Sequence, residues 1–303
     1  MRFFSFTGPH GDGVGIRNPD GPRGLRRGDP RFPGELGDLL ARGEDALRAA
    51  GEAFAQGEPI DPAAVTLRPP LPQPGKIICI GLNYADHSSE SGFDVPAYPT
   101  VFARYASSLV GSGQPILRPR LSEQLDYEGE IVAIIGRGGR HIPRERALDH
   151  VVGYSIFNDG SVRDYQFKSP QWTVGKTFDA TGGFGPDLVT ADELPPGCRG
   201  LTLETRLNDK VMQHASTDDL IFDVATLVAT LSEAFTLSPG DIIVTGTPAG
   251  VGLARKPPVW MKPGDVCEVE VEGLGILTNP IGAEPQAPAA VQPADARPIP
   301  ANA

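Results

Sequence analysis

Apolar positions along this chain recur mostly in short β-type runs closed by Gly/Pro turns, and helical spacing is confined to two stretches. Lys76–Ile80, Ile131–Ile135 and Val151–Phe157 are rich in β-branched residues and predict buried strands. Leu201–Leu207 alternates apolar and polar positions, and Asn208-Asp209 predicts a hairpin turn into Lys210-Val211. Two more strands are expected after Pro-Gly-Asp turns, through Ile242–Val244 and Val266–Val269. The helical stretches are Glu35–Ala55, with Leu36, Leu39, Leu40, Leu47 and Phe54 in step, and Asp223–Phe235, with Val224, Leu227, Val228 and Leu231 on one face. Regular strand–helix alternation is lacking, so the expected class is α+β, mainly β.

Texture divides the chain in three. Residues 1–74 read as a small N-terminal domain: a strand-like start, a Gly/Pro/Arg-rich stretch from Gly21 to Gly28, the first helix and the linker Arg68–Pro74. Residues 75–282 carry the strand pattern and are expected to hold the chemistry. The Ala/Pro-rich stretch 283–303 is expected to be a disordered tail.

Composition narrows the function classes. With 303 residues, 40% hydrophobic and 21% charged, the chain can bury a substantial core. No apolar stretch approaches the roughly 18 residues a membrane helix needs, and Gly8-Pro9 interrupts any secretory signal. Cys79, Cys198 and Cys267 are odd in number and widely spaced, forming neither a disulfide framework nor a zinc pattern, so a cytoplasmic setting is expected. A net charge of −11 argues against nucleic-acid and anionic-membrane partners. It also means that an anionic substrate needs local cations.

The candidate chemistry begins at Glu128 and Glu130, which immediately precede the Ile131–Ile135 run. Residues i and i+2 of a strand share a face, so both carboxylates point the same way. Asp159, closing the Val151–Phe157 run through Asn158, offers a third. Three oxygen donors without a thiolate suit a hard divalent cation, Mg²⁺ or Mn²⁺, although an exposed acidic strand face remains the plain alternative. His87 and Glu90 stand three apart, where a helical turn stacks them and the carboxylate can raise and orient the imidazole as a water-activating base. The alternative there is a surface pair at a helix start capped by Asn83. Taken alone, Arg104, Arg163, Gln166 and Lys176 read as solvated positions.

Five ordered motifs change that picture: Asn83-Tyr84-Ala85-Asp86-His87 with Glu90, Asp126-Tyr127-Glu128-Gly129-Glu130, Asn158-Asp159 with Arg163-Asp164-Tyr165-Gln166, Gly175-Lys176-Thr177-Phe178-Asp179, and Thr245-Gly246-Thr247-Pro248. Together, over roughly Lys76–Ile281, they resemble the fumarylacetoacetate hydrolase superfamily. The resemblance implies a mixed β-sandwich roll, a homodimer, and Mg²⁺ or Mn²⁺ (Ca²⁺ as a substitute in crystals) on Glu128, Glu130 and Asp159. It implies that His87 and Glu90 activate water from a lid and that Lys176 reaches into the pocket. Arg163, Gln166 and Thr247 would lie on the substrate side. Arg104 stands where many relatives carry lysine, and its fork suggests a bidentate hold on a substrate carboxylate. Phe167 replaces a lysine of the longer fumarylacetoacetate-cleaving members. The implied activity is metal-dependent hydrolysis of a C–C bond in an acylpyruvate-type 3-oxo acid through an enolate. The alternative is decarboxylation or enol–keto isomerisation of an oxo-diacid such as oxaloacetate.

Overall fold

The computed structural model describes residues 1–85 and 96–285. His87, Glu90 and the expected tail from residue 286 onward lie outside the described residues.

The fold is mainly β. A twelve-stranded sheet runs through the molecule, and its centre is the glutamate strand Gly129–Ile135. That strand lies antiparallel between Val151–Asp159 and Ile242–Val244. Ile242–Val244 in turn runs parallel to Ile77–Gly81, and the edge beyond is Thr100–Arg104. A second, five-stranded sheet contains the predicted hairpin, Thr202–Leu207 with Lys210–Ser216. Asn208 and Asp209 both take positive φ, 51° and 63°, as a tight hairpin turn of the right twist requires.

Both faces of the central sheet are covered, which is why Ile131–Ile135 is continuously apolar instead of alternating. Ile131, Ala133 and Ile135 pack with Leu203 and Val269 of the second sheet and with Leu227 and Leu231 of helix Val224–Ala234. Val132 and Ile134 point the other way, into a core with Phe3, Leu39, Phe54 and Phe157. Asp223 caps helix Val224–Ala234 by accepting from the Thr226 amide at 2.8 Å.

Two features differ from the sequence reading. The single helix expected over Glu35–Ala55 is two, Leu36–Ala41 and Glu44–Ala55, because Gly43 sits at φ 97° and ends the helical ladder. The leucine spacing continues across the break because both pieces bury leucines in the same core. Secondly, the N-terminal stretch shares the main sheet: Arg2–Gly8 pairs with Gly182–Thr190, placing Phe3 opposite Leu188. Its helices thereby cover one face of the sheet that carries the glutamates.

A candidate active site at the end of the glutamate strand

Antiparallel register builds the site. Gly129 lies opposite Asn158, and the Asp159 amide donates to the Glu128 carbonyl at 2.8 Å. Glu128 and Asp159 therefore face each other across the ladder, with Glu130 two residues along on the parity of Val132 and Ile134. Oxygens of the three carboxylates lie within 4.8 Å of one another, and all three side chains are buried.

Short helical turns bring the cations. Arg163 opens Arg163–Gln166, directly after a two-residue strand, Ser161–Val162, that pairs with Leu125–Asp126. Lys176 closes Thr173–Lys176. Its Nζ reaches Glu128 Oε2 at 2.6 Å and Asp159 Oδ2 at 2.8 Å. Arg163 Nη2 lies 2.6 Å from Glu128 Oε1 and 2.8 Å from Asp126 Oδ2, and its Nη1 donates to Gln166 Oε1 at 2.9 Å. Burial opposes the charge on Lys176, but Asp159 and Glu128 outweigh it and leave its pKa raised. Arg163 is held charged in the same way by Glu128 and Asp126.

Glu130 has different neighbours. It accepts from the Gly246 amide, while burial and the charges of Asp159 and Glu128 push its carboxyl well above the ordinary range. Within the cluster, Asp126, Glu128, Glu130 and Asp159 face Arg104, Arg163 and Lys176, an excess of one negative charge. A divalent cation fits this donor set, since the three converging groups are hard carboxylates with negative charge to spare.

Glu128, Glu130, Arg163, Gln166, Lys176 and Thr247 line one cavity. Thr247 Oγ1 donates to the Gly129 carbonyl at 2.9 Å and accepts from Gln213 Nε2 at 2.8 Å, which ties the Gly-rich turn to the glutamate strand. Arg104 does not line this cavity, contrary to the expectation of a substrate clamp. Its guanidinium lies behind Asp159, bonding Asp159 Oδ1, the Gly160 carbonyl at 3.1 Å and Thr181 Oγ1 at 2.9 Å. Thus the fork grips a carboxylate of the chain itself. Asn83 donates from Nδ2 to the carbonyls of Thr245 (2.7 Å) and Phe222 (3.0 Å), and the helical pair it would cap in the alternative reading lies outside the described residues.

Sequence reasoning passed over Asp126 and Gln213. Asp126 receives the amides of Gly252 at 2.7 Å and Leu253 at 2.9 Å besides Arg163, so it joins the cavity's far wall to the cationic side. Its place two residues before Glu128 was the available signal. Nothing in the sequence marks Gln213, which lies on the neighbouring sheet.

The comparisons agree with this fold. The family model for the fumarylacetoacetate (FAA) hydrolase C-terminal domain matches residues 76–282. The chain belongs to the fumarylacetoacetate hydrolase family, a family of enzymes. It is 41% identical over 273 residues to the mitochondrial oxaloacetate tautomerase of Xenopus laevis, covering 88% of this chain and 85% of that one. The solved fumarylacetoacetate hydrolase of psychrophilic Exiguobacterium antarcticum superposes with a TM-score of 0.81 at 37% identity, covering 94% of this chain and all (100%) of the other. The maleylpyruvate hydrolase of Sphingobium sp. SYK-6, solved with manganese(II) and pyruvate, gives 0.76 at 29% identity, over 93% and 99% of the two chains. Among the described residues no helix is long and apolar enough to cross a membrane. The mitochondrial name of the Xenopus relative lends the expected cytoplasmic setting no support.

Proposed function

We propose that this protein is a divalent-cation-dependent tautomerase that interconverts the enol and keto forms of oxaloacetate or a close 2-oxo-diacid. The observation that supports this most is the 41% identity, over 88% of the chain, to a relative named for that reaction. Ketonisation takes a proton from the enol oxygen, adds one at C3 and consumes no water. Arg163 and Lys176 stand where they can hold a substrate carboxylate and a developing oxyanion in a site largely closed to solvent. Lys176, whose Nζ lies in the cavity beside Glu128 and Asp159, can hold an oxyanion or exchange a proton with the substrate. Gln166 is fixed by Arg163 and can orient the substrate. A Mg²⁺ or Mn²⁺ ion held by Glu128, Glu130 and Asp159 would supply Lewis-acid stabilisation of charge on the substrate oxygens, worth several kcal/mol.

The test follows the ultraviolet absorbance of enol oxaloacetate with purified protein and either metal. Enol loss faster than in metal-containing buffer, without pyruvate release, is expected. Pyruvate appearing in step with enol loss would identify a decarboxylase, and no acceleration would overturn the reading.

A second reading, C–C hydrolysis of an acylpyruvate, draws on the likeness to the maleylpyruvate hydrolase. It requires a water-activating base, for which His87 with Glu90 is proposed. Under it, His87→Ala lowers acylpyruvate cleavage by ~10²-fold or more, whereas undiminished cleavage would remove His87 from that role.

A further inference from the structure

The floor and mouth of the cavity differ in chemistry. Its charged lining groups, Glu128, Glu130, Arg163 and Lys176, belong to the buried cluster of the floor. Towards the other walls the lining described is dominated by Leu82, Phe102, Phe167, Trp172, Val251 and Leu253. Trp172 meets Phe102 edge-on, with ring centroids 5.7 Å apart and planes at 64°. Close approach of the indole depends on Gly81, where a Cβ would stand 2.3 Å from the Trp172 ring. Phe167 is 53% exposed, so an apolar ring is presented at the opening to solvent. The adjacent lysine does not change this, since Lys168 Nζ rests 3.3 Å above the Tyr165 ring and is not part of the lining.

A second substrate carboxylate directed at this mouth would find, among the described residues, aromatic and aliphatic surface in place of a cation. A flat apolar substituent would find edges and faces to pack on. We propose that the same site also accepts 2-oxo acids bearing an aromatic group on C3, the arylpyruvates, and ketonises their enols. The 2-oxo acid head would lie on the charged floor, with the ring between Phe167 and Trp172. In the reaction the enol O–H is lost, C2=C3 becomes C2=O, and C3 gains one proton, so no co-reactant is consumed. Turnover here rests on the tautomerase reading; binding does not.

The experiment therefore measures both. In calorimetry on the Mn²⁺-loaded protein, phenylpyruvate is expected to bind at least tenfold more tightly than pyruvate, which shares its head and lacks the ring. Phe167→Ser should lower that affinity ratio by about fivefold or more, and Phe167→Leu should restore much of it. Equal affinities in the unmodified protein, or a ratio indifferent to Phe167→Ser, overturn the aromatic pocket. Enol loss is then followed on phenylpyruvate and oxaloacetate. Acceleration on both supports the whole proposal. Preferential phenylpyruvate binding without acceleration on either acid keeps the pocket and overturns the tautomerase reading. Acceleration on oxaloacetate alone overturns the arylpyruvate activity.

Discussion

Two ion-pair clusters in this protein each hold more carboxylates than cations, and only one has the makings of a site. On the five-stranded sheet, Arg206 bonds Glu204 (2.7 Å), Glu268 (3.1 Å) and Glu270 (2.7 Å) on a solvent-facing surface. Water screens that excess, and the hydrogen bond from Arg206 holds the Glu204 carboxyl below its ordinary range. At the end of the glutamate strand the excess is buried, and Glu130 moves the opposite way. Arg206 favours the ionised form of Glu204, whereas the buried cluster leaves one carboxylate poorly compensated. Burial is what turns surplus negative charge into affinity for a cation.

Variants can break this contrast, beginning with the largest effect. Asp159→Ala should abolish divalent-ion binding in calorimetry. By leaving Arg104 and Lys176 short of a partner, it should also cost about 3–5 kcal/mol in denaturant unfolding. Retention of the ion with unchanged affinity would remove Asp159 from the proposed ligand set. Lys176→Met removes a charge at nearly constant length, and enol turnover should fall ~10²-fold while the ion still binds. A full-rate variant would show that the ammonium is only a counter-charge. Arg104→Lys keeps the charge but not the fork that holds Asp159, Gly160 and Thr181 together, so metal affinity should weaken about tenfold.

The partly exposed cluster around Arg206 should respond least. Arg206→Ala is expected to cost no more than ~1 kcal/mol, and less at high salt. Because the folded pKa of Glu204 is depressed below 4.5, its contribution is present above that value and is lost as pH falls through the folded pKa. The variant should accordingly flatten the acid limb of the stability curve below about pH 4.5, while its loss persists at neutral pH. A loss as large as that of Asp159→Ala would refute the claim that burial separates the clusters.

Much of the fold was readable because its strands have strong local signatures. The β-branched apolar run Ile131–Ile135 marked a strand, and Asn208-Asp209 marked the hairpin. The helix break at Gly43 was obscured because apolar spacing reports which face is buried, whereas a single backbone angle ends the ladder. In the site, strand parity was enough to place Glu128 and Glu130 together. Lys176 and Arg163 could not be distinguished from surface cations by local pattern, since their burial comes from elements far along the chain. Resemblance to a family singled them out. It misdirected the reading of Arg104, whose guanidinium found a carboxylate within the protein.

By itself, the sequence determined that its β-branched apolar runs would be strands, that two glutamates share a face, and that three acids without a thiol suit a hard cation. These follow from local periodicity and side-chain chemistry, which travel with the residue wherever it lies. Only the tertiary structure decided that Asp159 stands opposite Glu128, that Arg104 lies behind the acids instead of before them, and that apolar rings line the mouth above a charged floor. Those outcomes depend on strand register and on which distant surfaces exclude water, and neither is encoded in a window of neighbouring residues.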